Sequence, residues 1–182
     1  MRAESRTRIF AELDNALEWV EERILSEAGF TRSEELPLEL YEIDLFRGRP
    51  AETLRALEAC LEKRSYRSGE RIFQRGDTDD GLYLIRRGTV RIMLQLDETQ
   101  WRHVSTFGRG DHFGEMAFLD GQARSADAVA STDTDLFALS RSQFDALAKE
   151  HERMAVNLLE GLARVLAIRL RYANAELHVL QT

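Results

Sequence analysis

Apolar residues recur every three or four positions between Arg6 and Ala28, where Ile9, Phe10, Leu13, Leu17, Val20 and Ile24 alternate with Glu and Arg ahead of Gly29. That spacing predicts an amphipathic helix ending at the glycine. Its polar face carries Glu18, Glu21, Glu22 and Glu27, the composition of a solvated surface. Thr31 to Pro50 holds both prolines and mixed charges and reads as a connector, with Leu38, Leu40, Ile43, Leu45 and Phe46 available to pack down. Ala51 to Arg64 predicts a second helix, with Leu54, Leu57 and Leu61 on one face.

From Tyr66 to Leu139 the pattern changes to short alternating segments punctuated by Gly69, Gly76, Gly81, Gly88, Gly108 and Gly110. This is the signature of an all-β sandwich or barrel. The expected strands are Arg71 to Gln74, Leu82 to Arg87, Val90 to Leu96, Arg102 to Phe107, Ala126 to Ala130 and Asp135 to Leu139. Val90, Ile92, Leu94 and Leu96 share one face, which should point inward, and Asp97 to Gln100 supplies a hairpin turn. Ser140 then suits an N-cap for a helix over Arg141 to Lys149 that turns Phe144 and Leu147 inward. A long helix over Glu152 to Leu180 follows, with Leu159, Leu162, Leu166, Leu170, Ala173, Leu177 and Leu180 repeating at threes and fours. Such a stripe packs on the β-region, on a twin helix, or on both, and its length favours a homodimer through this helix.

A chain of 182 residues that is 43% hydrophobic can bury a sizeable core. A net charge of -7 and a pI near 5.2 argue against a surface built for nucleic acid. The single cysteine, Cys60, excludes an internal disulfide and fits a buried small hydrophobe in a reducing cytoplasm. No run of about 18 apolar residues is present and the charged N-terminal stretch lacks the apolar core of a signal peptide. A cytoplasmic location is therefore expected. His103, His112, His151 and His178 do not form a closely spaced metal-binding set, and no nucleophile elbow, Walker loop or cysteine cluster occurs. Neither an enzyme nor a metal site is expected.

The candidate chemistry lies in Phe113 to Ala126. Gly114 lets backbone come close to a ligand and leads into Glu115-Met116-Ala117-Phe118-Leu119, a run of helix formers whose start offers N–H groups to an anion. Nine residues later Arg124 supplies a fork of donors matched to phosphate oxygens, beside the Ser125 hydroxyl and the Ser125 and Ala126 amides. A carboxylate at Glu115 would repel a phosphate unless it accepted a hydrogen bond from the same ligand, and a ribose hydroxyl is a suitable donor. The competing interpretation is an ordinary surface ion pair between Glu115 and Arg124.

This stretch resembles the phosphate-binding cassette of cyclic nucleotide-binding domains, the family of the catabolite activator protein and of protein kinase A regulatory subunits. The phrases Gly69 to Asp77 and Leu82 to Gly88 match the same family's β-roll, so the resemblance covers about Tyr66 through Leu139. It implies an α+β fold: an antiparallel, jelly-roll-like β-roll flanked by N-terminal helices and a long C-terminal helix. It also implies that Gly114 and Glu115 hold the ribose, and that Arg124 with Ser125 and Ala126 holds the cyclic phosphate, with Met116 and Ala117 in the cassette turn. Aligned outward, Ile92, Val104 and Ser105 fall on strands lining the base pocket, and Arg169, Leu170 or Tyr172 approaches from the long helix. Ser125 is compatible with cAMP whereas Arg169 could serve guanine, so the ligand is cAMP or cGMP, with cAMP favoured.

Phe10 to Glu22 resembles the last helix of a STAS domain in bacterial sulfate permease-like proteins that carry such a nucleotide-binding domain. That resemblance implies residues 1–30 as the end of a STAS domain, 31–62 as connector and helical lead-in, and 63–182 as the nucleotide-binding domain, with its β-roll over 66–139 and helices over 140–180. It implies a sensor tail of a STAS- or transporter-like protein, at the cytoplasmic face of a membrane if tethered. The rival is a degenerate fold used for dimerisation or scaffolding without ligand. A DNA regulator is disfavoured by the charge and by the absence of a helix-turn-helix after the long helix.

Overall fold

Burial on both faces of two strands organises the molecule. In the computed structural model, β3 (Leu82–Arg87) sends Leu82 and Leu84 to one side and Tyr83 and Ile85 to the other, and β8 (Thr134–Leu139) does the same with Phe137 and Leu139 against Leu136 and Ala138. Side chains alternate across a strand, so a strand covered on both faces reads as a continuous apolar run, as Leu82-Tyr83-Leu84-Ile85 does. One set joins a core shared with the helices and the other a core between two sheets.

The structure describes residues 36–46, 48–95, 97 and 100–180, with Val20 and Ile24. The chain divides into two compact units, residues 1–36 and 37–182. Val20 and Ile24 are helical and exposed; the rest of the helix expected over Arg6 to Ala28 lies outside the described residues.

The second unit holds two four-stranded antiparallel sheets. One has the order β1 (Glu62–Tyr66), β8, β3, β6 (His112–Phe113); the other β2 (Arg71–Phe73), β7 (Asp127–Ala130), β4 (Val90–Gln95), β5 (Trp101–Phe107). The expected α+β roll is the observed fold. Gly88 makes the β3–β4 turn at φ +88, where an added Cβ would lie 2.4 Å from the Asp133 carbonyl, so both shape and dihedral demand glycine. Between β4 and β5 the register slips by one residue after the Ile92–Ser105 pair, since Met93 pairs with His103. That bulge leaves Val104 unpaired and 48% exposed.

Two 3-10 turns, Leu40–Glu42 and Asp44–Phe46, precede helix α1 (Ala51–Glu58). The connector packs as expected, with Leu38, Leu40, Ile43 and Phe46 buried. Leu38 N donates to the Arg86 carbonyl at 3.0 Å and Arg86 Nε returns a bond to the Leu38 carbonyl at 2.9 Å, which fastens the connector to β3. Helix α1 stops at Glu58, not at Arg64, because Glu62 to Tyr66 pairs with β8 as an edge strand. Local preference for helix in Glu-Lys-Arg yields there to a ladder of five residue pairs. Cys60 is half-buried against the helical core.

The short helix α2 (Glu115–Asp120) follows β6. In α3 (Arg141–Glu150) the Ser140 hydroxyl accepts from Gln143 N at 3.2 Å as a cap, with Phe144 and Leu147 buried. Helix α4 (Glu152–Leu180) has the expected limits, but its apolar stripe divides. Met154, Ala155, Leu158 and Leu162 are buried against the roll, whereas Leu159 is 37% and Leu170 62% exposed. No helix among the described residues is long and apolar enough to cross a membrane.

Contrary to the expectation of a satisfied or exposed histidine, His112 in β6 is buried and its Nε2 has no partner among the described residues. Burial, and then the charge of Arg169, push its pKa from 6.5 down to about 4. The unfolded chain takes up this proton near pH 6.5 and the folded chain only near 4, so the unfolded state binds more protons between those values and stability falls as pH falls through that window. We expect His112→Gln to remove about 3 kcal/mol of the acid destabilisation between pH 6.5 and 4, measured as the wild-type-minus-variant difference in urea unfolding. Parallel pH profiles for the two proteins would contradict it.

Candidate functional site

The site forms where the turn from β6 into α2, the loop from α2 into β7 and the loop from β2 into β3 converge. Gly114 takes φ +81, and an added Cβ there would lie 2.7 Å from Arg124 Nη1 and 2.8 Å from the Gly81 carbonyl. A glycine is required because a guanidinium passes directly beneath it. Arg124 is only 3% exposed. Nη1 donates to the Gly114 carbonyl at 2.9 Å, and Nη2 donates to the Gly81 carbonyl at 2.6 Å and to Asp79 Oδ2. The guanidinium also lies over the rings of Phe73, at 4.1 Å, and Tyr83, at 5.4 Å. Its Nε is buried with no partner among the described residues.

Asp79 is held in turn by the Tyr83 hydroxyl, at 2.8 Å, and by Gly81 N, at 3.3 Å. Burial pushes its pKa up, but hydrogen bonds from Arg124 and Tyr83 outweigh that and leave it below the usual carboxylate value. Burial and the Asp79 charge push the Tyr83 phenol up, so it stays a neutral donor. Backbone bonds from Arg124 N to the Asp77 carbonyl, at 2.8 Å, and from Gly76 N to the Arg124 carbonyl, at 2.9 Å, staple the two loops together.

Glu115 is also buried, and its partner comes from the long helix. Arg169 Nη1 donates to Glu115 Oε1 at 2.8 Å, Nη2 donates to the His112 carbonyl at 2.7 Å, and the guanidinium lies 4.3 Å from the Phe107 ring centroid. The ordinary pair imagined between Glu115 and Arg124 is therefore not what forms: each finds a different partner of opposite charge. Ala117 and Ala126 are buried, Met116 and Ser125 are exposed with Ser125 Oγ 3.8 Å from Met116 Sδ, and the first turn of α2 leaves its leading N–H groups without intrahelical acceptors.

On the sheet, Ile92 and Ser105 are paired and half-buried, with Ile92 packed beside the inter-sheet core, while Val104 sits at the exposed bulge. Leu170 and Tyr172 are exposed, at 62% and 71%. Reasoning from sequence missed Asp79, Gly81, Tyr83, Phe107 and His112. The available signal was the acidic turn Asp77-Thr78-Asp79-Asp80-Gly81 just before an apolar strand: an arginine buried nearby needs a counter-charge. Among the described residues no group of three or more His, Cys, Asp or Glu could hold a metal ion.

The profile of the family described as "Cyclic nucleotide-binding domain" matches residues 63–151. Glutaminase 1 of Bradyrhizobium diazoefficiens is 35% identical over 173 residues, 95% of this chain and 27% of that protein. The "Cyclic AMP receptor protein" of Thermus thermophilus is 40% identical over 136 residues, 75% of this chain and 61% of the receptor. The crystal structure of Thermus thermophilus catabolite activator protein superposes with a TM-score of 0.66 at 38% identity, covering 75% of this chain and 62% of that one. The chain thus spans about a quarter of the glutaminase and under two thirds of the receptor. Family, β-roll and buried Gly-Glu-Arg cassette agree on one assignment: through residues 63–151, this chain belongs to the cyclic nucleotide-binding domain family.

Proposed function

We propose that the chain is a cyclic nucleotide sensor whose ligand is cAMP in preference to cGMP. The observation that carries this reading is Arg124, 3% exposed yet with a buried Nε donor lacking any partner among the described residues. A native buried donor normally finds an acceptor, and a cyclic phosphate beside Gly114 supplies one. Glu115 keeps Oε2 for a ribose hydroxyl while Oε1 accepts from Arg169, so ribose and Arg169 can share one carboxylate. Ile92, Ser105 and the exposed Val104 supply the base-facing wall, and the likeness to the Thermus cyclic AMP receptor protein supports cAMP.

Binding then strengthens the tie between α2 and α4, and that differential contact shifts the position of the long helix. The output passes to a region joined to this domain, with residues 1–30 as the end of a STAS-type domain. The glutaminase likeness spans 95% of the chain and so runs well beyond residues 63–151; it supports attachment to an enzyme over attachment to a transporter. The exposed Leu159 and Leu170 on α4 support a homodimer through that helix.

Calorimetric titration with cAMP and cGMP tests the ligand. Saturable binding of cAMP with weaker cGMP binding is expected. Arg124→Lys should weaken cAMP by roughly tenfold or more, because lysine keeps the charge and loses the fork. No binding of either nucleotide by wild-type protein would favour the scaffold reading. Reversing the charge at Arg124 is a poor control, since the side chain is stacked on Phe73 and buried under Gly114.

Hydrogen exchange tests the coupling: cAMP should slow exchange in the half of α4 containing Arg169, and Arg169→Ala should abolish the slowing while cAMP still binds. Equal slowing in the variant would remove Arg169 from the mechanism. For assembly, sedimentation should find a wild-type dimer and a monomeric Leu170→Glu, and a monomeric wild type would contradict the dimer.

A further inference from the structure

Arg124 is held in place without help from any charge. Two backbone carbonyls, Gly81 and Gly114, accept from its terminal nitrogens, Phe73 and Tyr83 flank its plane, and its own backbone is stapled to Asp77 and Gly76. Yet a carboxylate also reaches it. Asp79 contacts Nη2 and is itself fixed by a phenol and a backbone N–H, so it is aimed at the guanidinium. Its side chain is 42% exposed, which lets it remain charged without a large desolvation cost. With Glu115 paired to Arg169, the charges tied to the cassette are two guanidiniums and two carboxylates, and they sum to zero before any ligand charge is added.

We propose that Asp79 is a specificity-determining residue that sets how much negative charge the phosphate site accepts, admitting a cyclic phosphodiester and rejecting a terminal phosphomonoester. This inference rests on the cyclic nucleotide reading above. A cyclic phosphate carries a single negative charge, whereas a linear 5′-phosphate carries about -1.5 to -2 at pH 7. Against Arg124 alone the linear nucleotide would gain more attraction. Against Arg124 already balanced by Asp79, the second negative charge meets a fixed carboxylate in a partly buried site, where Coulomb terms exceed those in water. The geometry thus separates two tasks: neutral groups orient the guanidinium, and Asp79 limits the charge it can take.

The test is displacement of a fluorescent cAMP analogue by adenosine, cAMP and 5′-AMP from wild type, Asp79→Asn and, as a control for general surface charge, Asp80→Asn. Asp80 accepts from Arg141 N and has no contact with Arg124. Asp79→Asn should tighten binding in order of ligand charge: no change for adenosine, roughly tenfold for cAMP and more than that for 5′-AMP, so that discrimination between the nucleotides shrinks by about tenfold. Asp80→Asn should leave that ratio unchanged.

If Asp79 only positions Arg124, both phosphate ligands weaken together in Asp79→Asn and the ratio holds, which overturns the inference. An equal change in ratio for Asp80→Asn overturns it too. Failure of wild type to bind cAMP at all overturns the underlying sensor reading, a different result from cAMP binding with an unaltered ratio. Melting temperatures of each variant check folding, and Asp79→Ser serves if the asparagine variant does not fold, with the same ratio as its readout.

Discussion

A guanidinium buried to 3% exposure constrains everything around it, because a charge taken out of water must be paired and nearly fully hydrogen-bonded to be tolerated. Arg124 meets that demand by drawing three loops together. The β2–β3 loop brings Asp79 and Gly81, the turn into α2 brings the Gly114 carbonyl, and Tyr83 and Phe73 of the inter-sheet core close over its plane. The left-handed backbone at Gly114 is a consequence: only a residue without a Cβ can pass 2.7 Å above Nη1. The cassette is therefore preformed, and its rigidity comes from the same contacts that make Arg124 costly to replace.

The second buried charge, Glu115, solves its problem differently. Its partner lies 54 residues away on α4, and the same arginine also binds the His112 carbonyl and covers Phe107. A local turn is thereby tied to a distant helix through one side chain. His112 adds a constraint of opposite sign, since a protonated imidazole at that position would face the Arg169 charge while buried. The neutral imidazole and the docked helix are mutually consistent, which makes β6 the point where strand pairing, helix docking and site chemistry meet.

The parts of this arrangement legible in the sequence were those governed by local rules. Alternation placed six strands and the 3.6-residue period placed α3 and α4, because Phe144, Leu147, Leu158 and Leu162 face the same core that creates the pattern. The edge strand β1 was read as the end of a helix: Glu-Lys-Arg carries no apolar alternation, and only pairing with β8 makes it a strand. The two-residue β6 is too short for any pattern. At the site, Gly114, Glu115 and Arg124 were visible as a spaced motif. Their partners Asp79 and Tyr83 were not, for they stand more than 40 positions before Arg124 and meet it only through the sheet topology. The base-facing strands were foreseen, but the bulge that exposes Val104 was not, because a slip of one residue leaves no composition signal.

The way α4 is attached suggests how a small event at the cassette becomes a larger one. Its first half is fixed by apolar burial, with Met154, Ala155, Leu158 and Leu162 all under 7% exposed against the helical core. Beyond Leu162 that burial ends: Ile168, Leu170 and Tyr172 are exposed, and the tie to the roll is Arg169. Burying an aliphatic side chain contributes about 1.5 to 3 kcal/mol, so four of them anchor the first half firmly. A single half-exposed ion pair contributes less and depends on its surroundings. The helix is thus strongly held at one end and conditionally held near its middle. Whatever alters the Glu115 carboxylate acts at the weaker attachment, where a change of one or two kcal/mol is enough to shift the balance between docked and undocked arrangements.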